Sequence, residues 1–162
     1  MKKIIFGILA LAMVVFLNFE ACALDSASFF RMRTQLYNES QDLKALIANS
    51  PDAAVINGIW GTCLITISQL DAYVCMIGVF NSVKGKDSEA EAVNYLSTWL
   101  SGMKSTSDLN IKAITDIPFK VQPKTKVYLE KLKGYLVELN KMVDMEIGNV
   151  ASLSKAMKMQ TR

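Results

Sequence analysis

The segment from Pro51 to about Val83 constrains the fold of this chain more than any other stretch. Its apolar residues recur at alternating spacings of four and three, which is the pattern of a helix with one packed face. They are Ile56, Trp60, Cys63, Ile67, Leu70, Val74 and Ile77. Other apolar groups continue nearly all round, and Gly58 and Gly61 belong to a line of small residues that lets a neighbouring helix approach closely. The pattern predicts a central helix, the most buried in the protein.

Two strands are the alternative for this segment, because TCLITIS and AYVCMIGVF are rich in β-branched residues. The SQLD linker between them has neither Gly nor Asn for a tight hairpin turn, so a helix is preferred. On one helix Cys63 and Cys75 lie about 18 Å apart along the axis, beyond the reach of a disulfide. Two free thiols are therefore expected. A bridge between Cys63 and Cys75 in the hairpin, or an intermolecular bridge through Cys75, is the alternative.

A second helix is predicted before this segment, over residues 28–48, where apolar side chains recur at threes, fours and sevens. Between the two lies the sequence IANSPDAAV. Its Asn49 suits a left-handed position that closes the first helix, and Ser50 is placed to cap the next one ahead of Pro51. So short a turn makes the two helices antiparallel neighbours.

Two more helices are predicted towards the C-terminus. One begins near Glu89 and either continues through residues 104–115 or breaks within that polar stretch. The stretch TDIPFKVQP, with its two prolines, predicts an extended connector. The last helix runs over about residues 123–157 and has a single apolar sector. Together these elements predict an all-α protein, an antiparallel (up-down) four-helix bundle.

The N-terminal residues 1–23 have the organisation of a secretory signal peptide: two lysines, the apolar run IIFGILALAMVVFL, and ACA at its end. The run is shorter than the roughly 20 residues of a membrane-spanning helix. Cleavage after Ala23 is predicted, leaving residues 24–162 as a single helical-bundle domain. Lipid attachment at Cys22 is the alternative, although the charge of Glu20 fits a lipoprotein signal badly. We therefore expect a bacterial protein that is periplasmic or secreted, or else tethered to a membrane as a lipoprotein.

Histidine is absent from the sequence, and this excludes more functions than any other feature. A Ser-His or Cys-His catalytic pair cannot form, nor can the Glu-x-x-His pairs of di-iron bundles or a covalent c-type haem site. No metal, cofactor or catalytic residue is predicted, and an enzyme is the least favoured class. Without residues 1–23 the net charge falls from +3 to +2, because Lys2, Lys3 and Glu20 are lost. Such a balance does not predict binding to nucleic acid.

Asp71 is the candidate for a ligand site, because it lies in the middle of the most apolar segment. A buried acid of this kind can contact a ligand, and Cys75 and Trp99 are the residues expected beside it in a pocket between helices. The simpler interpretation places Asp71 on a solvent-facing strip, or in an ion pair with a Lys or Arg of another helix, because a buried unpaired charge is costly.

Lysines form the one charge cluster, at positions 120, 124, 126, 131 and 133. Helical projection places Lys124 and Lys131 on one border of the apolar sector and Lys126 and Lys133 on the other. The cluster therefore predicts lysines spread along the bundle with their charges in water. An acidic partner or an anionic membrane surface is the alternative.

Aromatic residues suggest a partner site if Phe29, Phe30 and Phe119 meet at one end of the bundle. The sequence favours an exported protein that acts by binding. A protein-interaction module is preferred, namely an adaptor, an inhibitor or a chaperone-like partner, and a homodimer is compatible with it. The alternative is a small-ligand carrier or sensor with a pocket between helices.

Overall fold

Four α-helices contain most of the residues that the structure describes, and no strand occurs among those residues. The structure is a computed structural model and describes residues 24–48, 50–117 and 120–160. The helices are α1 (Ser26–Ile47), α2 (Ala53–Val83), α3 (Glu89–Thr115) and α4 (Pro123–Gln160). The prediction of an all-helical bundle is confirmed, and the two-strand alternative for the apolar segment is wrong. The predicted signal peptide, with Cys22 and Ala23, lies outside the described residues.

A side chain caps the start of α1, whereas α2 begins after a turn and has no side-chain cap. The Asp25 side chain caps α1, accepting a hydrogen bond from the Ser28 amide at 2.9 Å. Hydrogen bonding with the Ser28 side chain, and then with the Ser28 amide, lowers the pKa of the Asp25 carboxyl, because both favour the charged form. In the next junction Ser50 Oγ accepts from the Asp52 amide at 3.1 Å. Residues 51 and 52 form a turn instead of the predicted first helical turn, so α2 begins at Ala53.

The junction before α3 depends on one glycine. Gly85 has φ +75°, a conformation that residues with a Cβ rarely adopt, and its amide donates to Glu89 Oε2 at 2.7 Å. The helix then continues unbroken through residues 104–115. Its polar side chains do not disrupt it, because their hydroxyls bond to backbone carbonyls. Thr106 donates to the Gly102 carbonyl at 3.0 Å, and the buried Ser107 donates to the Leu136 carbonyl of α4 at 3.2 Å.

One apolar cluster drawn from all four helices forms the core. Five members of the predicted α2 pattern are buried, and Trp60 and Val74 are partly buried against them. The apolar groups that lie nearly all round α2 are not all buried, however. Ile65 and Val79 are 55% and 58% exposed, so one side of this apolar helix faces solvent.

Candidate functional site

The outward side of α2 carries a continuous apolar strip, which we call the α2 stripe. Its members share one side of the helix and are exposed or partly exposed. They are Gly61, Leu64, Ile65, Ser68, Ala72, Cys75, Met76 and Val79. None of them is charged, and Asp71 is the single charged residue in the whole of α2. A contiguous exposed apolar strip of this kind is typical of an interaction surface.

Helix α2 is also long and apolar enough to cross a membrane by length and composition alone, and it is the one such helix among the described residues. Within its most apolar window, 39% of the residues are buried inside the protein. The inward residues of α2 belong to the bundle core, and core helices of soluble proteins pass the same test. The composition of α2 therefore serves both core packing and an outward apolar surface.

An apolar groove lies beside the start of the α2 stripe, between α2, α3 and α4. Its volume is about 360 Å³, within the size range of small-ligand sites. The α2 side includes the small residues Ala54 and Gly58, and a Cβ added at Gly58 would meet no atom within 4 Å. Ile114 of α3 and Leu129 of α4 form part of the opposite side. The groove is therefore open space lined by apolar groups, with room for an apolar chain.

Three lysines gather at a basin of about 590 Å³ that shares Ile114 and Leu129 with the apolar groove. Lys120, Lys126 and Lys133 line this basin, and Glu130 is the one acid among its lining residues. None of the three forms an ion pair with another described residue. Lys126 and Lys133 lie on the same side of α4, as the helical projection places them, and Lys120 joins them from the connector. We call them the lysine rim.

The predicted ligand site around Asp71, Cys75 and Trp99 is not assembled. Asp71 accepts from Arg33 Nε of α1 at 3.0 Å in a partly exposed ion pair, as the simpler interpretation expects. Trp99 Nε1 donates to the Gln69 carbonyl at 3.0 Å. Residues 69 and 71 lie about 160° apart round a helix, so Trp99 and Asp71 are on opposite flanks of α2. Cys75 is exposed on the outward side between them.

Phe29 and Phe30, two of the three residues of the predicted aromatic patch, do not share a surface. Phe29 is buried, at 1% exposure, and its ring centre lies 4.7 Å from that of Tyr73. Phe30 is 57% exposed, because consecutive residues of a helix point about 100° apart. Phe119 lies outside the described residues. Phe29 is therefore a core residue and is not available to a partner.

Two buried carboxylates, Glu39 and Glu146, were not identified from the sequence. Glu39 is 6% exposed and lies 3.3 Å from the ammonium of Lys131. This carboxylate raises the pKa of Lys131, because it favours the charged form of the lysine. Glu146 is 1% exposed and accepts a hydrogen bond from the Tyr73 hydroxyl at 2.8 Å. The spacing of these acids from neighbouring apolar residues could have identified them, because both fall at core positions of their helices.

Cys63 and Cys75, the cysteines among the described residues, are both free and lie in different environments. Cys63 is fully buried, and burial, with a smaller effect of the Glu39 carboxylate, raises the pKa of its thiol to about 12. Cys75 is exposed on the α2 stripe. Because the thiolate is the reactive form, the two thiols should differ strongly in reactivity.

We predict that iodoacetamide at pH 8 adds one carboxamidomethyl group to the folded protein, at Cys75, and two to the unfolded protein. Burial and the raised pKa protect Cys63. Intact mass spectrometry measures the adducts on residues 24–162. The variant Cys75→Ser should gain none while folded. If neither thiol reacts with iodoacetamide until the protein is reduced, Cys63 and Cys75 form a disulfide, which would contradict this prediction.

Comparison with known proteins gives no relative from which a function can be transferred. No protein-family model, no curated protein and no solved structure matches the chain. Among the described residues, no three His, Cys, Asp or Glu side chains are grouped as metal ligands would be. The α2 stripe and the apolar groove with its lysine rim are therefore the surfaces from which a function is argued.

Proposed function

We propose that the protein is an exported bacterial protein-interaction module that binds its partner through the α2 stripe. The observation that carries this proposal is an uncharged, apolar strip left uncovered on a helix of the bundle. Exposed strips of this kind bind the apolar face of another helix. Export rests on the signal-peptide pattern of residues 1–23, with release after Ala23 favoured over a lipid anchor at Cys22.

The up-down order of the bundle is part of the same proposal. Side-chain pairs support it: Arg33 contacts Asp71, while Phe29, earlier in α1, contacts Tyr73, later in α2. The same trend links α3 and α4, because Lys104 contacts Asp144 and Asp108 accepts from Asn140. In such an order each helix has an outward side, and the outward side of α2 is the one that carries no charge from residue 61 to residue 79 except at its border, where Asp71 lies.

The partner that fits the α2 stripe is an amphipathic helix of another protein. From residue 61 to residue 79 the stripe is about 27 Å long and about one helix wide, which gives roughly 300 Å². A stable interface buries about 800 Å² on each partner, so the partner must also contact surfaces beside the stripe, such as the apolar groove. The lysine rim lies by the neighbouring groove, where acidic residues at one end of a partner helix would be favoured.

Cys75 offers a direct test, because an exposed thiol already lies on the α2 stripe. We expect a thiol-linked benzophenone at Cys75 to crosslink, in the native periplasm or medium, to one amphipathic helix of one partner protein. Mass spectrometry of the crosslinked peptides identifies the attached segment. The control carries the probe on the other side of the bundle, as Val127→Cys in a Cys75→Ser background, and should not give this product. Crosslinks to lipid, or to a second copy of the chain, would contradict the proposed partner.

A small-ligand carrier is the second candidate, favoured by the contact between the apolar groove and the lysine rim. An amphipathic anion matches this arrangement, since its apolar chain would occupy the groove and its charged head would meet Lys120, Lys126 and Lys133. A long-chain carboxylate is the simplest member of that class. Binding of dodecanoate to the purified protein tests this candidate.

A further inference from the structure

Glu146 is a buried carboxylate with no cationic partner among the described side chains. Its Oε1 accepts from the Tyr73 hydroxyl at 2.8 Å and from the Asp25 amide at 2.9 Å, and its Oε2 accepts from Asn149 Nδ2 at 2.8 Å. Acceptance at both oxygens is typical of an ionised carboxylate. The ion pairs between described residues involve other acids. A buried charge without a counter-charge is costly, so a cation close to Glu146 would stabilise the folded protein.

The amide that Glu146 binds belongs to the second residue of the predicted mature chain. Cleavage after Ala23 converts the nitrogen of Leu24 from an amide into an α-ammonium. Successive backbone nitrogens are at most about 3.7 Å apart, so this ammonium lies within about 6.5 Å of Glu146 Oε1, given the 2.9 Å contact of Asp25. The Leu24 side chain packs against the core, and Asp25 caps α1, so the start of the domain is held beside Glu146.

We infer that removal of residues 1–23 creates the counter-charge of Glu146, the α-ammonium of Leu24. The inference rests on the proposed export and on cleavage after Ala23. An uncleaved chain, or a chain lipidated at Cys22, keeps a neutral amide at Leu24 and leaves Glu146 without this partner. Removal of residues 1–23 therefore supplies a positive charge beside Glu146. The cleaved chain is for this reason more stable than the uncleaved chain.

Other polar groups at this position support the pairing. The Asp25 carboxylate lies on the residue next to the ammonium and adds to its stabilisation. The Tyr73 hydroxyl remains protonated and continues to donate, because burial and the Glu146 charge raise the pKa of Tyr73. Asn149 contributes a neutral amide from α4. An α-ammonium in this setting has a raised pKa in the folded state, because the neighbouring carboxylates favour its charged form.

The test compares a chain that begins at Leu24 with one that carries Gly-Ser ahead of Leu24. We expect the folding equilibrium constant of the Leu24 chain to be about tenfold larger at pH 7, a difference of about 1.4 kcal/mol. The gain is complete below the unfolded-state pKa near 8. It falls as the pH rises through the raised folded-state pKa, because deprotonation removes the charge. Urea unfolding measures the constant, and titration of a ¹⁵N-labelled Leu24 amine measures the pKa.

The variant Glu146→Gln should abolish the difference between the two chains, whereas Glu138→Gln, an exposed acid on the same helix, should preserve it. If Glu146→Gln does not fold, the two chains of native sequence still decide the question. Equal stability at pH 7, or an unchanged Leu24 pKa, would overturn the inference. Neither measurement requires a partner protein, so failure here is distinct from failure of the proposed function at the α2 stripe.

Discussion

Phe29→Ala is expected to lower the free energy of unfolding by about 3–5 kcal/mol, the usual cost of removing a buried phenylalanine side chain. Phe29 is 1% exposed, and its ring lies 4.7 Å from that of Tyr73 at the centre of the bundle. Alanine would leave a cavity there, because the surrounding helices can close only part of the space. Urea unfolding measures the change, and a constant m-value would show that the folded and unfolded states are otherwise comparable.

Phe30→Ala is the matched control, since the two phenylalanines are adjacent in the sequence. Phe30 is 57% exposed, and its truncation should change the free energy of unfolding by no more than about 0.5 kcal/mol. Similar losses for the two variants would contradict the orientation of α1 in the bundle. The two variants also show which of these phenylalanines is in the core and which is on the surface, where a patch of aromatic residues was predicted.

Charge reversal at the lysine rim gives the second large effect. We expect Lys126→Glu with Lys133→Glu to weaken dodecanoate binding at least about tenfold at low ionic strength, because two attractions to the carboxylate become repulsions. Isothermal titration calorimetry below the critical micelle concentration measures the dissociation constant. Lys141→Glu with Lys155→Glu makes the same change in net charge on exposed lysines outside the rim, and should leave the constant nearly unaltered.

The apolar groove can be tested separately from the charges. Gly58→Leu should fill the groove and prevent binding of the dodecyl chain, because a side chain at this position meets open space. The same change should stabilise α2 by up to about 1 kcal/mol, since leucine favours a helix over glycine. A Gly58→Leu protein that binds dodecanoate more weakly but is more stable would show that the groove was filled, because a damaged fold would be less stable. Dodecanoate binding that survives both the filled groove and the reversed charges would rule out this site.

The helices and most of the core could be predicted from the sequence, because their periodicity is strong. The α2 pattern identified the buried Ile56, Cys63 and Leu70, and the start of α3 at Glu89 was placed correctly. The start of α2 was placed two residues too early, since a Ser-Pro-Asp junction fits a turn as well as a first helical turn. Whether residues 104–115 stay helical depended on tertiary contacts such as that of Ser107 with α4, which a local pattern does not contain.

The candidate surfaces were harder to predict than the helices. Periodicity shows that α2 is apolar on most sides, but which side faces solvent depends on where the other three helices pack. The lysine rim had the same difficulty, because Lys120 precedes α4 and joins Lys126 and Lys133 only through the path of the connector. Glu146 was not identified because a charged residue seems to break the apolar pattern of a helix. Its spacing from Val143 and Val150 nevertheless places it at a core position.

The central claim, that the α2 stripe is the binding surface, is tested most directly by the effect of Ile65→Asp on crosslinking from Cys75. The residue is 55% exposed, so the change should leave stability within about 0.5 kcal/mol while placing a charge in the middle of the stripe. We predict that the partner crosslink is lost in Ile65→Asp and retained in Val127→Asp, which changes an equally exposed residue of α4. An undiminished crosslink in Ile65→Asp would contradict the account.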